Sequence, residues 1–233
     1  MLKSFTVSFM MLAMMSHYSP FALPISPGKE DPADKFWSWF RQNESRLRHF
    51  QSNPDKYLQE VLVEIRKVRP GLVIELEPPK NGVINMTVSA DGNKDLFPIV
   101  QTLVRKAPHI DGWKIIAFRQ RASLSKLRTM ILKTDSFELD PNKMKFYPFI
   151  EDDSLDIVVY TTDVTANNYE DIGYAGLLLI DNILGEYDCV MKVRSYDFHD
   201  MPAFKEERDS LKPLLGLANY VDRYYSAKTL KKH

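Results

Sequence analysis

The residues best suited to chemistry are arginines that follow the end of a predicted strand. Residues 112–134 carry six cations and no acidic side chain, and the arginines among them are Arg119, Arg121 and Arg128. Guanidinium groups bind phosphates and carboxylates through paired hydrogen bonds, and ligands often dock where strands end. The segment is therefore a candidate anion-binding site. The alternative is a solvated loop whose cations pair with the acidic residues of 135–140 or 151–153.

A second candidate group is acidic and surrounds a predicted helix. Its members are Glu170, Asp171, Asp181, Glu186 and Asp188. Paired carboxylates such as Glu186 and Asp188 could perform acid–base catalysis or hold a divalent cation. Their spacing matches no calcium or magnesium loop, so helix-end charges on a solvated face are the alternative.

An aromatic segment near the start of the predicted fold is the third candidate. Residues 36–40 read Phe-Trp-Ser-Trp-Phe, and four rings in five positions cannot all face one stripe of a helix. Trp37 and Trp39 are therefore a candidate interaction surface for a partner protein. The alternative is that these rings fill the core.

Several kinds of site are not indicated by the sequence. Cys189 is the only cysteine, so neither an intramolecular disulfide nor a cysteine-based zinc site can form. No two histidines have the spacing of a metal pair, and the chain contains neither a Walker loop nor a dinucleotide fingerprint. The formal net charge is zero, which argues against nucleic acid as a partner. We therefore expect no metal and no cofactor.

The chain divides into a leader and one predicted domain. Residues 1–30 hold an apolar run of signal-peptide length followed by a proline-containing linker, and the run is too short for an integral membrane span. A secreted or periplasmic location follows if this leader is cleaved, and a cytoplasmic one if it is not. We predict a single domain over 31–227 and a frayed tail over 228–233.

The elements that must position the candidate residues form a repeated pattern. Leu72–Phe118 and Lys145–Val193 each read as strand, strand, helix, strand, and Ile84 corresponds to Ile157 at an offset of about 73 residues. Tyr187 then takes the place of Trp113. The pattern predicts an α+β fold of two pseudo-duplicated ββαβ units, whose strands lie in one mixed, mostly antiparallel sheet or in two apposed sheets.

Helices are expected to flank these units. Asp31-Pro32 and Asn53-Pro54 are typical helix starts, and they predict two N-terminal helices. A C-terminal helix is predicted from about Ser210. The pairs Asn81-Gly82 and Asp152-Asp153 mark hairpin turns, while Pro148 indicates a sheet edge.

Three sequence blocks together resemble a group of uncharacterised bacterial proteins. The blocks are FWSWF with Asn43-Glu44, DG…LFPIV…AP…GW…AFR over residues 91–119, and LGEYD over residues 184–188. The resemblance covers about Asp34 to Tyr225 and implies no activity. The hydrophobic leader departs from the pattern of that group.

Two classes of function remain open from the sequence. The first is a non-catalytic, protein-binding or regulatory module, favoured by the absence of catalytic motifs and by the aromatic segment. The second is a small-molecule or phosphate-handling enzyme, whose Arg119, Arg121, Glu186 and Asp188 would meet in a cleft between the repeats. A secreted or periplasmic binding protein is a third possibility, which requires cleavage of the leader.

Overall fold

The first described elements are two helices that begin where the sequence predicts. The structure is a computed structural model and describes residues 30–230, so the expectations for the leader lie outside the described residues. Helix α1 spans Pro32–Leu47 and α2 spans Pro54–Val68. The Asn53 side chain accepts a hydrogen bond from the backbone N–H of Lys56 at 3.3 Å, which caps α2.

A three-stranded sheet follows these helices. Strand β1 (Val73–Leu76) pairs antiparallel with β2 (Ile84–Ser89). Helix α3 (Phe97–Arg105) then carries the chain to β3 (Trp113–Ala117), which runs parallel to β2. Parallel pairing requires such a crossover, and it brings the C-terminal ends of β2 and β3 to the same edge of the sheet.

The predicted basic loop is partly structured and leads into the second half of the chain. A short helix α4 (Leu124–Thr129) precedes the two-stranded hairpin of β4 (Leu132–Lys133) and β5 (Glu138–Leu139). The remaining elements are β6 (Lys145–Glu151), β7 (Ser154–Thr161), α5 (Tyr169–Leu184), α6 (Glu186–Met191), β8 (Ser195–Asp200), α7 (Lys205–Ser210), β9 (Lys212–Pro213) and α8 (Leu217–Leu230).

The second large sheet has four strands in the order β8-β7-β6-β9. Strand β6 is antiparallel to β7, and β8 is parallel to β7. The α+β prediction is confirmed, and the strands lie in separate sheets. Both halves use the connection strand, strand, helix, strand with a parallel return, although an origin by duplication stays a prediction.

The predicted last strand of the second unit is wrong. Residues 187–191 belong to α6, and the strand is formed later, by Ser195–Asp200. Ile84 pairs with Trp113, whereas Ile157 pairs with Tyr196. Tyr187 therefore does not occupy the place of Trp113, because the extra helix α6 intervenes after Gly185.

The C-terminal helix also begins later than predicted. Residues 205–210 form α7, and Pro213 lies in β9 instead of in the first turn of a helix. Helix α8 starts at Leu217 and continues to Leu230, past the predicted domain end at residue 227.

Two hydrophobic cores stabilise the compact unit that begins at Pro32. The first lies within 33–118, where α1, α2 and α3 pack with the three-stranded sheet. The second lies within 127–221, where α5 and α8 pack with the four-stranded sheet. We refer to residues 32–118 as the first half and to residues 122–230 as the second half, with 119–121 as the connecting segment.

Candidate functional site

The candidate charged residues meet where the two halves touch. The loop after β2 and the segment after β3 lie against the start of α6, so that Ala90, Arg119 and Glu186 are in direct contact. We call this contact region the joint. It lies at the C-terminal ends of parallel strands, which is the edge where α/β sheets commonly bind ligands.

Glu186 is the centre of the joint. Its side chain is buried, and the residue is only 1 % exposed. The carboxylate accepts hydrogen bonds from the backbone N–H groups of Ala90 (2.9 Å), Gly92 (3.3 Å) and Arg119 (3.2 Å). A buried charge is costly unless hydrogen bonds replace its hydration, and these three donors replace it here. The backbone N–H groups after β2 and β3 thus bind an anionic group that the same chain supplies.

Gly185 allows Glu186 to approach so closely. Its φ of +75° lies in the left-handed region, and an added Cβ would lie 3.1 Å from the carbonyl oxygen of Arg119. The backbone N–H of Glu186 donates to that same oxygen at 3.0 Å. Glycine satisfies both the conformation and the close backbone approach, and Gly185 ends α5 at this point.

Arg119 is held by carboxylates from three parts of the chain. Its guanidinium group donates to Asp181 at 2.7 Å, to Glu75 at 3.1 Å and to Asp91 at 3.3 Å. The side chain is 25 % exposed. Because the planar guanidinium group binds several carboxylates at once, Arg119 connects the first sheet to α5.

Arg121 makes an equivalent connection within the second half. It donates to Asp188 at 2.5 Å, to Asp222 at 2.7 Å and to the carbonyl oxygen of Leu184 at 3.0 Å. The hydrogen bond with Arg121 lowers the pKa of Asp222 from its ordinary value. The connecting segment is thereby fixed to α5, α6 and α8.

The residue before Arg119 has an uncommon backbone conformation. Phe118 has φ of +66°, which is costly for a bulky residue. Its ring packs against Phe97 at 4.5 Å and against Tyr187 at 5.5 Å between centroids, and its N–H donates to the Val88 carbonyl oxygen at 2.8 Å. These contacts hold Phe118 in place and direct the chain into the joint.

Most of the sequence-predicted charged residues therefore converge, whereas Arg128 and the residues Glu170 and Asp171 in the first turn of α5 lie elsewhere. Arg119, Arg121, Glu186 and Asp188 share the joint, as a cleft between the repeats requires. They pair with carboxylates, arginines or backbone groups of the same chain, so an external anion would have to displace a carboxylate. Arg128 lies on α4, is exposed and takes no part in these ion pairs.

The predicted interaction surface of Trp37 and Trp39 needs correction. Trp37 is 4 % exposed, and its Nε1–H donates to the carbonyl oxygen of Leu103 at 2.9 Å. Trp39 is half-buried and packs against the same core. The aromatic segment fills the first core because α1 lies across it, so Trp37 offers no surface to a partner.

Sequence reasoning missed three carboxylates of the joint, namely Glu75, Asp91 and Asp222. Asp91 carries a local signal, since it lies two positions after the end of β2, beside Gly92, with φ of +49°. Glu75 and Asp222 lie on a strand and a helix with ordinary patterns, and only the tertiary fold brings them to the arginines.

A second polar cluster lies at the edge of the four-stranded sheet. Asp197 accepts hydrogen bonds from the Tyr169 hydroxyl at 2.6 Å and contacts His199 Nε2 at 2.7 Å. The hydrogen bond with Asp197 raises the pKa of His199 above its ordinary value. Burial and the contact with Asp197 raise the pKa of Tyr169 to about 12.

Neither a metal centre nor a membrane span is found among residues 30–230. No three histidine, cysteine, aspartate or glutamate side chains of this range are arranged to hold a metal ion. No helix in it combines the length and the apolar character needed to cross a membrane. The chain matches no family model, no curated protein and no solved structure.

Proposed function

We propose that this protein is a non-catalytic binding module that acts by contact with another protein. The observation that carries this proposal is the aromatic surface of β6. Tyr147 and Phe149 lie on the same outward face of this strand and are 46 % and 48 % exposed. Contiguous apolar side chains at a protein surface are typical of interaction sites, and aromatic residues are enriched there.

The charges of the joint support a structural role for the groups that catalysis would need. Arg119 and Arg121 each hold carboxylates of the same chain, and Glu186 is shielded from solvent. A catalytic site needs groups that can reach a substrate. The joint is better suited to fixing the orientation of the two halves. A fixed orientation in turn holds the surface of β6 in a constant position relative to the first half.

Site-specific photo-crosslinking in the native host tests the proposal. A photoreactive phenylalanine analogue replaces Phe149, and the matched control places it at Tyr174, an aromatic position on α5 that is 70 % exposed. We expect an adduct of defined mass with one protein from position 149 and none from position 174. Equal adducts from both positions, or none from either, would contradict a specific binding surface on β6.

Phosphate or small-molecule handling at the joint is the second candidate function. The convergence of Arg119, Arg121, Glu186 and Asp188 favours it, and it requires the internal ion pairs to open. Inorganic phosphate would then raise the melting temperature of the protein, and Arg119→Gln would abolish that increase. A melting temperature independent of phosphate, at constant ionic strength, would eliminate this candidate.

Secretion and membership of the resembling bacterial group are further proposals. The apolar run within residues 1–30 and the sequence blocks that end at residues 184–188 support them. The mass of the mature protein from the native host tests secretion, because cleavage removes the leader. An intact N-terminus would contradict it.

A further inference from the structure

We propose that the groove between strands β6 and β9 and helix α8 binds an extended, acidic peptide segment of the partner. The inference rests on the proposed binding function and specifies where and what the module binds. The groove is a surface cavity of about 580 Å³, open to solvent on one side. Its lining residues are Phe146, Lys212, Pro213, Gly216, Tyr220, Arg223 and Tyr224.

An unpaired strand edge continues β6 beyond Phe146, the residue of β6 that lines the groove. Strand β9 pairs with β6 only at Lys145 and Phe146, and in the described chain no other strand pairs with that side of β6. The edge from Pro148 to Glu151 therefore has backbone groups available for a further strand. Pro148 lacks an N–H donor, which blocks long, unspecific pairing at this edge. A short extended segment can still continue the line of β9.

Aromatic rings form a wall of the groove. The ring of Tyr220 packs edge-on against Phe146, with centroids 5.6 Å apart. Further along α8, the Tyr224 hydroxyl and the Lys228 ammonium group donate to the Asp153 carbonyl oxygen at 3.3 and 2.7 Å, so α8 follows β6 towards the hairpin turn. Tyrosine rings present an apolar body and a polar tip, which suits apolar side chains that alternate with polar ones.

The charge of the groove selects an acidic occupant. Lys212 and Arg223 line it, and in the described chain neither makes an ion pair with a carboxylate. The Lys212 ammonium group lies 6.0 Å from the Tyr220 ring centroid, and Arg223 Nε donates only to the Asn219 carbonyl oxygen of its own helix. Complementary charge steers and orients a partner, so carboxylates are the expected counterparts.

The segments of the sequence outside residues 30–230 contain no acidic side chain. Residues 1–29 contain no acidic side chain, and residues 231–233 read Lys-Lys-His. Both segments carry the same sign of charge as the groove. We assign the groove to an acidic segment of a partner protein.

Peptide titration of the full chain tests the inference. The probe is a fluorescein-labelled synthetic peptide of alternating glutamate and valine residues, and its binding is followed by fluorescence anisotropy. The matched peptide of alternating lysine and valine is the reference. We expect saturable binding of the acidic peptide alone. Reversal of both groove charges, by Lys212→Glu with Arg223→Glu, is expected to weaken it at least about tenfold.

Two further variants separate the groove from general electrostatics. Lys114→Glu with Lys126→Glu changes the net charge equally at exposed positions outside the groove, and it is expected to leave affinity within about twofold. A Cβ at Gly216 meets no atom within 4 Å, so Gly216→Leu can place an apolar side chain in the groove without a clash at its Cβ. Loss of peptide binding in Gly216→Leu is the expected result.

The outcomes distinguish this inference from the proposed function. Equal weakening by the two charge reversals, or unchanged binding in Gly216→Leu, overturns the groove as the site. Absence of peptide binding together with a specific adduct at position 149 overturns the groove while the binding module stands. Concentration-dependent self-association that Gly216→Leu abolishes would identify a second copy as the occupant, and it would also overturn the inference.

Discussion

At the scale of single residues, Glu186 occupies the position that a bound anion takes in many α/β proteins. Its carboxylate meets backbone N–H groups after two parallel strands. Those donors lie 67 to 96 positions away along the chain, so no local pattern could reveal them. The sequence marked Glu186 as a candidate for acid–base chemistry, and the structure gives it donors that keep it in place.

Replacing Glu186 tests how much this carboxylate contributes to stability. Glu186→Ala leaves three buried or half-buried N–H donors without an acceptor, and each such loss costs about 1–3 kcal/mol. We expect the free energy of unfolding in urea to fall by about 3 kcal/mol or more, and by a smaller amount in Glu186→Gln, which keeps one acceptor oxygen. The control Glu170→Ala, at a position of α5 away from the joint, should change it by less than about 0.5 kcal/mol. A similarly small change in Glu186→Ala would contradict the assigned role.

The raised pKa of His199 implies that the stability of the protein depends on pH. Asp197 raises the pKa of His199 above its ordinary value of 6.5, so the folded state binds the proton more tightly than the unfolded state. The resulting stabilisation is complete below pH 6.5 and is lost as the pH rises through the raised pKa.

Urea denaturation between about pH 6 and pH 8 measures this effect. We expect the stability of the wild type to decline with rising pH more steeply than that of His199→Gln, because the variant lacks the titrating group. Asp197→Asn should reduce the slope in the same way, since it removes the carboxylate that raises the pKa. Parallel profiles of all three proteins would disprove the prediction.

At the scale of elements, helix α5 packs against β8 through a position that accepts only glycine. A Cβ at Gly176 would overlap the ring of Phe198, whereas a Cβ at Gly173, one turn earlier, meets nothing within 4 Å. Phe198 is itself buried in the second core. Alanine substitutions at these two glycines of one helix are therefore expected to change the stability of the protein in opposite directions.

The single substitutions Gly176→Ala and Gly173→Ala form a matched pair of variants. Gly176→Ala forces Phe198 or α5 to move, and such overpacking costs about 1–3 kcal/mol of unfolding free energy. Gly173→Ala should instead stabilise the protein by up to about 1 kcal/mol, because alanine favours the helix. Thermal or urea unfolding of both variants checks the signs, and a shared sign would refute the packing argument.

Elements with strong local signals were predictable, and those set by distant contacts were not. Asn81-Gly82 and Asp152-Asp153 both adopt positive φ at hairpin turns, because their short side chains or lack of one tolerate that conformation. Residues 187–191 were predicted as a strand, yet they form α6. In such a short apolar run the helical and strand periods cannot be told apart, and the contacts of Glu186 with the first half decide between them.

The residues of the joint divide in the same way into those that a local sequence pattern predicts and those that only the tertiary fold brings together. Arg119 and Arg121 were identified from their position after a strand, which the structure bears out. Their partners Glu75 and Asp222 come from elements on either side of them in the chain. Whether an arginine binds a ligand or a carboxylate of its own chain depends on such tertiary neighbours, which periodicity does not report.

At the scale of the whole molecule, two separate cores are joined through the polar contacts of Arg119 and Glu186 and through the ring of Tyr187, which packs against Phe97 and Phe118. All three tryptophans, Trp37, Trp39 and Trp113, belong to the first half. Tryptophan fluorescence therefore reports unfolding of the first half, while far-ultraviolet circular dichroism reports both halves.

This asymmetry allows a test of how the joint couples the halves. We expect the two signals to coincide in the urea unfolding of the wild type, as for one cooperative unit. The double variant Arg119→Ala with Glu186→Ala loses the ion pairs and side-chain hydrogen bonds of the joint and keeps the contact of Tyr187 with Phe97 and Phe118. If the polar contacts carry the coupling, circular dichroism should show two transitions with fluorescence following only one. Coincident signals in that variant would mean that apolar contacts alone couple the halves.

Cys189 lies in α6, three positions after Glu186, and it is the only cysteine in the chain. Burial raises the pKa of its thiol to about 11, and only the exposed thiolate reacts with alkylating reagents. The rate of alkylation under native conditions therefore measures how often α6 leaves the joint. We expect faster alkylation in Glu186→Ala than in the wild type, and an unchanged rate in Glu170→Ala. A ligand that binds only while the halves are held together would slow the reaction, so this single thiol reports binding partners that stabilise the joint.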